Sequence, residues 1–347
     1  MHIIILNLLF YWPLISLREE ASVVPIKLLQ DSIVLSWMTE YKVPAVGIGI
    51  IQDGKMASQR VLGELTPGKK APVSAIFQVA SLTKPIVEMT VLRLVSSGKW
   101  ALDEPLYHYW IDPDVLNDTL HKKLTTRHVL AHQTGFVNWR WLHSTGKLAF
   151  DFVPGAKTQY SGEGLEYLKK ALENKFKKPL EEIVSSTLFI PEKMMDTRFF
   201  WDDRMDESRF AIAHNKEGLP YEVRKNTTAS AADLLMTTIG DYTRFGAAIL
   251  SGKNMSSEIW QDMIRLQAPE QKSKFGLGWE VYQNLGQGEY ALLHTGSDPG
   301  VRTIIILLPE SKRGIVIFTN GDNGMQVILK IISQSLDVGD QLIKMGG

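Results

Sequence analysis

The sequence predicts an α/β protein of the α+β type, in which an antiparallel sheet built from strands near both ends of the chain is flanked by helices. Two observations lead to this fold class. Short β-prone runs separated by turn residues occur near the N-terminus and again after about residue 271, whereas the middle of the chain has mostly helical periodicity. This distribution indicates one sheet assembled from the two ends, with a mainly helical region inserted between them.

The strands are predicted from local patterns. From Val43, "VPAVGIGIIQDGKMASQRVLGE" has two β-prone runs on either side of Asp53-Gly54, which is a strong hairpin signal. Near the other end, "FGLGWEVY", "YALLHTG", "VRTIIILLP" and "GIVIFTNG" follow one another as in an antiparallel meander. The tail "NGMQVILKIISQSLDVGDQLI" has helical periodicity.

The middle of the chain, about 85–270, is predicted to be mostly helical, for example in "GLEYLKKALENKF" and "AADLLMTTIGDYTRFGAAIL". There is no internal repeat, low-complexity tract or flexible linker. We therefore predict a single unit over residues 21–347, with a sheet lobe at about 21–80 plus 271–347 and a helical lobe at about 85–270.

Composition excludes several classes of function. The 347 residues include 38 Lys and Arg and 38 Asp and Glu, so the formal net charge is zero and no broad nucleic-acid-binding surface is expected. The absence of cysteine rules out disulfides, thiolate nucleophiles and cysteine-ligated zinc. The oligomeric state is left open.

The N-terminal segment 1–20 is signal-like. "MHIIILNLLFYWPLIS" is a nearly uncharged apolar run that ends before Arg18. It is shorter than the roughly 20 apolar residues of a membrane span, so no stable span is expected. A secretory signal, and hence a secreted or periplasmic protein, is preferred over an apolar terminal segment that packs onto the fold.

A serine and a lysine separated by two residues occur three times, as Ser81/Lys84, Ser96/Lys99 and Ser144/Lys147. The second pair straddles Gly98 at a predicted helix end, and the third lies in "HSTGKL", a predicted turn. The first pair precedes Pro85 and the strongly helical "IVEMTVLRLVSSG". Proline is tolerated in the first turn of a helix, so a helix is predicted to begin close to Ser81.

This position gives Ser81 and Lys84 a chemical meaning. Residues three apart share one face of a helix, so the hydroxyl and the ammonium group project together. The positive end of the helix dipole and burial of the lysine both lower the lysine pKa. A neutral Lys84 accepts the serine proton and makes Ser81 a nucleophile.

Further motifs along the chain, together with the Ser81/Lys84 pair, resemble those of a known family. "FQVASLTKP", "GKWALDEPL", "LTTRHVLAHQTGF", "VPGAKTQYSGEG" and "HTGSDPG" occur in this order over about residues 25–325. The ordered set resembles the serine hydrolase superfamily of class C β-lactamases and low-molecular-weight penicillin-binding proteins, on its esterase or D-peptidase branch. Any one of these stretches alone is a weak signal.

The resemblance implies roles for further residues. Tyr160 matches the tyrosine that shares proton transfer with the lysine; a lowered phenol pKa is expected beside Lys84 and the helix dipole, so that Tyr160 acts as base and later as acid. His294 stands where the strand motif has lysine, and is expected to orient Tyr160 or, when protonated, to bind a substrate carboxylate. After His294 and Gly296, the Ser297 N–H is expected to complete an oxyanion hole with the N–H of Ser81.

Two departures from the family pattern affect the substrate. Tyr160-Ser161-Gly162 lacks the asparagine of the usual Tyr-x-Asn triplet, and His294 replaces a permanent cation. We therefore predict a serine hydrolase that acts on small-molecule or peptide substrates through an acyl-enzyme, with carboxylic esters ranked before D-amino-acid peptides and β-lactams. The alternatives are a D,D-peptidase or β-lactamase, and a non-catalytic envelope module that binds peptidoglycan or a partner. No metal or organic cofactor is required.

Two other features have simpler interpretations. His128 and His132 have the spacing of two metal ligands on a helix, but no Glu follows His128, and His132 is expected to support the "AHQTG" turn. Trp139 and Trp141 in "NWRWL" line a cleft or, as is more frequent for such aromatics, pack in the core.

Overall fold

A seven-stranded antiparallel sheet forms the centre of the computed structural model, which describes residues 24–66, 68–268 and 274–346. Its strands, in chain order, are β1 (Ala45–Gln52), β2 (Lys55–Thr66), β3 (Lys69–Lys70), β6 (Glu280–Tyr282), β7 (Ala291–Asp298), β8 (Val301–Leu308) and β9 (Arg313–Thr319); β4 (Ile76–Gln78) and β5 (Met236–Thr238) pair separately. The spatial order is β3-β2-β1-β9-β8-β7-β6. The predicted fold class is therefore confirmed.

Pairing of β1 with β9 joins the two ends of the chain, from Val46 opposite Thr319 to Ile51 opposite Gly314. The hairpin between β1 and β2 turns at Asp53 and Gly54, which both have positive φ, 52° and 69°. Asp-Gly suits such a turn because both residues tolerate the left-handed conformation. The predicted hairpin at Asp53-Gly54 and the predicted assembly of the sheet from both ends of the chain are thus confirmed.

Helices cover both faces of the sheet. They are α1 (Asp31–Glu40), α2 (Thr83–Ser96), α3 (Thr126–Leu130), α4 (Gly162–Phe176), α5 (Leu180–Val184), α6 (Ile239–Leu250), α7 (Ser257–Ile264), α8 (Gly324–Ser335) and α9 (Gly339–Gly346). The terminal helices α1, α8 and α9 form one apolar core with the sheet. The inserted helices, together with α6, form a larger core that includes the other face of the sheet.

One predicted helix is too long at its start. Within the run 231–250, only Ile239–Leu250 is helical, while Met236–Thr238 forms β5. Thr238 is the N-cap of α6 because its side chain accepts a hydrogen bond from the Asp241 N–H at 3.1 Å. Leu234 has φ 72°, a left-handed value that is incompatible with a continuous helix through the beginning of this run.

The small β4–β5 sheet brings the segment 230–235, here called the 230s loop, next to the beginning of α2. The Val79 N–H donates to the Leu235 carbonyl at 3.0 Å, and the Leu235 N–H donates to Thr83 Oγ1 at 3.0 Å. The Glu166 carboxylate of α4 holds the other end of this loop by accepting from Ser230 Oγ and the Ala231 N–H. The start of α2, the 230s loop and α4 are thereby connected to one another next to Ser81.

The signal-like segment and the division into two lobes both remain predictions. The signal-like segment 1–20 lies outside the described residues. Within the ranges that the structure describes, no helix is long and apolar enough to cross a bilayer. The division of residues 21–347 into two lobes of one unit also stays a prediction.

Candidate active site

The site begins at a strained turn. A single 3₁₀ turn, Ala80–Leu82, precedes α2, and Pro85 is the third residue of that helix. Ala80 has φ 50°, an unfavourable value for a residue with a side chain. Strained backbone of this kind is frequent at active and binding sites, where the surrounding structure holds it in place. Ser81 is therefore fixed directly before the helix, as the position of Pro85 predicts.

Lys84 is directed at Ser81. Its Nζ donates to Ser81 Oγ at 2.9 Å and to the Ala232 carbonyl of the 230s loop at 2.8 Å. The Lys84 side chain is completely buried, whereas Ser81 is half-buried. Burial lowers the pKa of Lys84 to about 8, as the sequence predicts. A substantial share of this lysine is therefore the free base at mildly alkaline pH.

Carboxylates around Lys84 oppose the effect of burial. Asp233 of the 230s loop has the largest effect in raising the lysine pKa; the other carboxyl groups nearby, Glu88, Asp298 and Glu166, raise it only to the extent that they are ionised. Asp298, at the end of β7, is hydrogen-bonded to Asp233, and burial together with this neighbour raises the pKa of Asp298 to about 7. The charge state of Lys84 therefore depends on a carboxyl pair from two distant parts of the sequence.

Tyr160 lies over the same lysine. Its ring centroid is 4.8 Å from Lys84 Nζ, and the phenol is hydrogen-bonded to Ser81. Burial raises the pKa of Tyr160 above its ordinary value, although the hydrogen bond to Ser81 opposes this change. The predicted lowering of this pKa is wrong, because loss of solvent outweighs the hydrogen bond to Ser81, and the raised pKa does not support the predicted action of Tyr160 as a base. The phenol is neutral at physiological pH.

His294 is buried in β7 and uncharged. Its Nδ1 donates to the Thr295 carbonyl at 2.9 Å, so that Nε2 is the unprotonated ring nitrogen. Among the residues that the structure describes, the buried Nε2 has no hydrogen-bond partner. Burial and the Lys84 charge lower the pKa of His294 to about 3. The protonated, carboxylate-binding form is therefore excluded at neutral pH, while the ring remains 6.4 Å from that of Tyr160.

Gly296 allows β7 to approach the 3₁₀ turn Ala80–Leu82, here called the nucleophile turn because Ser81 is the predicted nucleophile. A Cβ at this position would lie 2.3 Å from both the Val79 carbonyl oxygen and Thr303 Oγ1, and 3.3 Å from the Leu82 N. Thr303 Oγ1 itself donates to the Val79 carbonyl at 2.9 Å. The next residue, Ser297, is exposed. The third motif thus lies beside Ser81, as the resemblance implies.

The "YSG" triplet is tied to the "FVN" stretch before it in the chain. Ser161 is the N-cap of α4, accepting from the Gly164 N–H at 3.1 Å, and its hydroxyl donates to the Val137 carbonyl at 2.9 Å. The Gly162 N–H donates to Asn138 Oδ1 at 2.8 Å. These bonds fix the backbone next to Tyr160.

His132 supports this arrangement from the "AHQTG" turn. It has φ 54°, its Nδ1 accepts from the Ser161 N–H at 3.2 Å, and its ring lies 4.3 Å from that of Tyr160. His128 accepts and donates within the capping box of α3 instead. In the ranges that the structure describes, no group of three or more acidic or histidine side chains is arranged to hold a metal ion.

The other serine–lysine pairs do not form comparable sites. Ser96 is the last residue of α2, and Lys99 follows Gly98, which has φ 69°. Ser144 and Lys147 lie in an exposed turn. Only the pair at the start of α2 is combined with a buried lysine.

Sequence reasoning missed three acidic residues near Lys84. Glu88 is four residues after Lys84 in an otherwise apolar helix, a spacing that is visible in the sequence. Asp298 belongs to the quoted "HTGSDPG" motif, but Asp233 lies in a stretch predicted to be helical. No local signal connects Asp233 to the site, because its position depends on the pairing of β4 with β5.

Comparison with known proteins identifies the class of this protein as a serine hydrolase of the β-lactamase-like superfamily. The chain belongs to the Beta-lactamase family, whose model matches residues 31–331. It is 25% identical over 306 residues to the D-alanyl-D-alanine-carboxypeptidase/endopeptidase AmpH of Escherichia coli K12, covering 77% of each chain. It is also 28% identical over 213 residues to Esterase EstB of Burkholderia gladioli, covering 52% of each chain.

Solved structures agree with the fold. The octameric penicillin-binding protein homologue from Pyrococcus abyssi has a TM-score of 0.70 at 21% identity, with 84% of this chain and 73% of that chain covered. A structure described as SurE has a TM-score of 0.72 at 18% identity, covering 89% and 76% of the two chains.

Proposed function

We propose that this enzyme hydrolyses carboxylic esters through an acyl-enzyme formed on Ser81. The observation that supports this proposal most strongly is the 2.9 Å hydrogen bond between Ser81 Oγ and a completely buried lysine whose pKa is lowered to about 8. A nucleophilic serine needs a base within hydrogen-bond reach that is uncharged near the working pH. Lys84 meets the first requirement, and its lowered pKa lets it meet the second near and above pH 8.

Acylation would transfer one proton and break one bond. Ser81 Oγ attacks the ester carbonyl carbon while its proton passes to Lys84 Nζ, and the carbonyl oxygen becomes an oxyanion. The N–H groups of Ser81 and Ser297 are proposed to hold this oxyanion, which is supported by the close contact of β7 with the nucleophile turn at Gly296. Collapse of the intermediate expels the alkoxide and leaves the acyl group on Ser81.

Tyr160 is proposed to deliver the proton to the leaving group. A neutral phenol hydrogen-bonded to Ser81 is suited to donate a proton, and Lys84, whose Nζ is bonded to the same serine, is proposed to replace that proton. Water then attacks the acyl-enzyme with Lys84 as base, and the acid is released. The neutral His294 is proposed to help orient Tyr160.

The ranking of substrates rests on the site and the relatives. Gly162 provides no side-chain amide to hold a peptide or β-lactam amide, which favours esters. One relative is named an esterase. A D-peptidase activity is the second candidate, because another relative is named a D-alanyl-D-alanine-carboxypeptidase. β-Lactam hydrolysis is ranked third.

The proposal is tested with p-nitrophenyl butyrate, D-Ala-D-Ala peptides and a fluorescent penicillin. Wild-type enzyme is expected to hydrolyse the ester fastest, and Ser81→Ala is expected to abolish this activity. Ser144→Ala is the matched control, since it removes a serine of the same spacing outside the site. Peptide hydrolysis faster than ester hydrolysis would favour the second candidate. Lack of acylation by every probe would support the non-catalytic alternative.

A further inference from the structure

Trp139 occupies the space beside Gly162. A Cβ on Gly162 would lie 2.8 Å from Cη2 of the Trp139 indole, closer than real Cβ contacts. The loop that carries Trp139 is fixed there, because Asn138 accepts the Gly162 N–H through both its backbone carbonyl and its side chain. An asparagine at position 162 therefore cannot fit while Trp139 keeps this position.

The indole of Trp139 also reaches the reacting groups. Its ring lies 6.0 Å from Lys84 Nζ, the nitrogen that is bonded to Ser81 Oγ. Trp141 stacks on Trp139 in a nearly parallel arrangement, with centroids 5.0 Å apart and an interplanar angle of 6°. Trp141 is 66% exposed and the adjacent Leu142 is 63% exposed. A continuous aromatic surface, here called the indole wall (Trp139 and Trp141), thus leads from Lys84 to solvent.

Arg140, between the two tryptophans, anchors this wall. Its backbone N–H and its guanidinium both donate to Glu163, and the guanidinium also donates to Asp112 and Asp114. The positive charge is therefore neutralised, and the loop is held by an ion-pair network rather than by burial of the indoles. Pre-positioned apolar surface costs little ordering entropy when a ligand covers it.

We propose that the indole wall is a specificity subsite that binds an apolar, preferably aromatic, group of the ester substrate. This inference rests on the proposed function and deepens it. The stacked indoles, of which Trp139 is half-buried near Lys84 and Trp141 is exposed, supply apolar area and ring faces. The only hydrogen-bonding groups in these two side chains are the indole N–H groups. The two indoles therefore favour esters with bulky apolar groups over small esters and over polar D-peptides.

The test compares two pairs of esters. p-Nitrophenyl acetate and p-nitrophenyl phenylacetate differ in the acyl group, while methyl and benzyl acetate, followed by acid release, differ in the alcohol. In Trp141→Ala, the ratio of kcat/KM for the bulky ester to that for the small ester is expected to fall about tenfold in at least one pair. Trp141→Phe, which keeps a ring, is expected to retain most of the preference.

Ile190→Ala is the matched control, because Ile190 is a similarly exposed apolar residue outside the site. It is expected to leave both ratios unchanged, and circular dichroism checks that each variant is folded. Ratios that stay the same in Trp141→Ala, or that fall equally in Ile190→Ala, would overturn the subsite while leaving the esterase intact. A wild-type enzyme that hydrolyses none of the four esters would instead overturn the proposed function, and the subsite with it.

Discussion

Lys84 and Glu88 lie one helical turn apart in α2, and both side chains are completely buried. Burial lowers the pKa of Lys84 to about 8 and raises that of Glu88 well above its ordinary value. Both changes favour uncharged forms. Neither carboxyl oxygen of Glu88 has a hydrogen-bond partner within the described part of the chain. Among the carboxyl groups near Lys84, Asp233, which is half-buried in the 230s loop, has the largest effect on the lysine pKa.

Asp233→Asn is expected to shift the acid limb of the pH profile to lower pH. The active form of Lys84 is the free base, so kcat/KM of the wild type should rise with pH through about 8. The Asp233 carboxylate raises the lysine pKa, so its removal lowers that pKa and moves the limb down by roughly one pH unit. The measurement is kcat/KM for p-nitrophenyl butyrate between about pH 6 and 10.

Glu88→Gln is the control for this experiment. A carboxyl that is already neutral loses no charge on this substitution, so the limb is expected to stay in place. A shift as large as that of Asp233→Asn would show that Glu88 is ionised in the active enzyme. A limb that moves in neither variant would mean that Lys84 is not the titrating base.

Tyr160→Phe is expected to slow alkyl esters more than p-nitrophenyl esters. p-Nitrophenolate leaves without protonation, whereas an alkoxide requires a proton from Tyr160. General acid catalysis contributes about 10²- to 10⁴-fold, and this loss should appear mainly for ethyl butyrate. The ratio of kcat values for ethyl and p-nitrophenyl butyrate measures it. Equal losses for both esters would contradict the role of Tyr160 as the acid.

Gly296→Ala is expected to separate β7 from the nucleophile turn. The added methyl would lie 2.3 Å from the Val79 carbonyl oxygen, so the backbone must move. We expect a loss of about 1–3 kcal/mol in the free energy of unfolding and at least a tenfold loss of activity. Gly286→Ala, where no heavy atom of the described residues lies within 4 Å of the added carbon, is the control for urea denaturation and ester hydrolysis. A fully active Gly296→Ala enzyme would argue against an oxyanion hole at Ser297.

The sheet and the position of Ser81 could be predicted because their signals are local. Asp53-Gly54 specifies a hairpin, Pro85 limits where α2 can begin, and the β-prone runs near the C-terminus follow one another as a meander. The relative position of the third motif could be inferred only through the family resemblance. The hairpin and the start of α2 can be predicted from the sequence because each depends on a few neighbouring residues.

The electrostatics of the site could not be predicted in the same way. A phenol near a lysine was expected to have a lowered pKa, but the sequence does not show how completely Tyr160 and His294 lose solvent. The contact of Trp139 with Gly162 likewise depends on a loop that docks from 23 residues away. Burial and loop docking are properties of the tertiary structure. Here burial reverses the pKa shift expected for Tyr160, and docking places Trp139 against Gly162.

The most direct test of the central claim is mass spectrometry of the intact protein after treatment with a fluorophosphonate, followed by peptide mapping. We predict a single adduct on Ser81, formed faster as the pH rises through about 8, and no adduct in Ser81→Ala. Labelling of a different residue, or equal labelling of Ser81→Ala, would contradict the account.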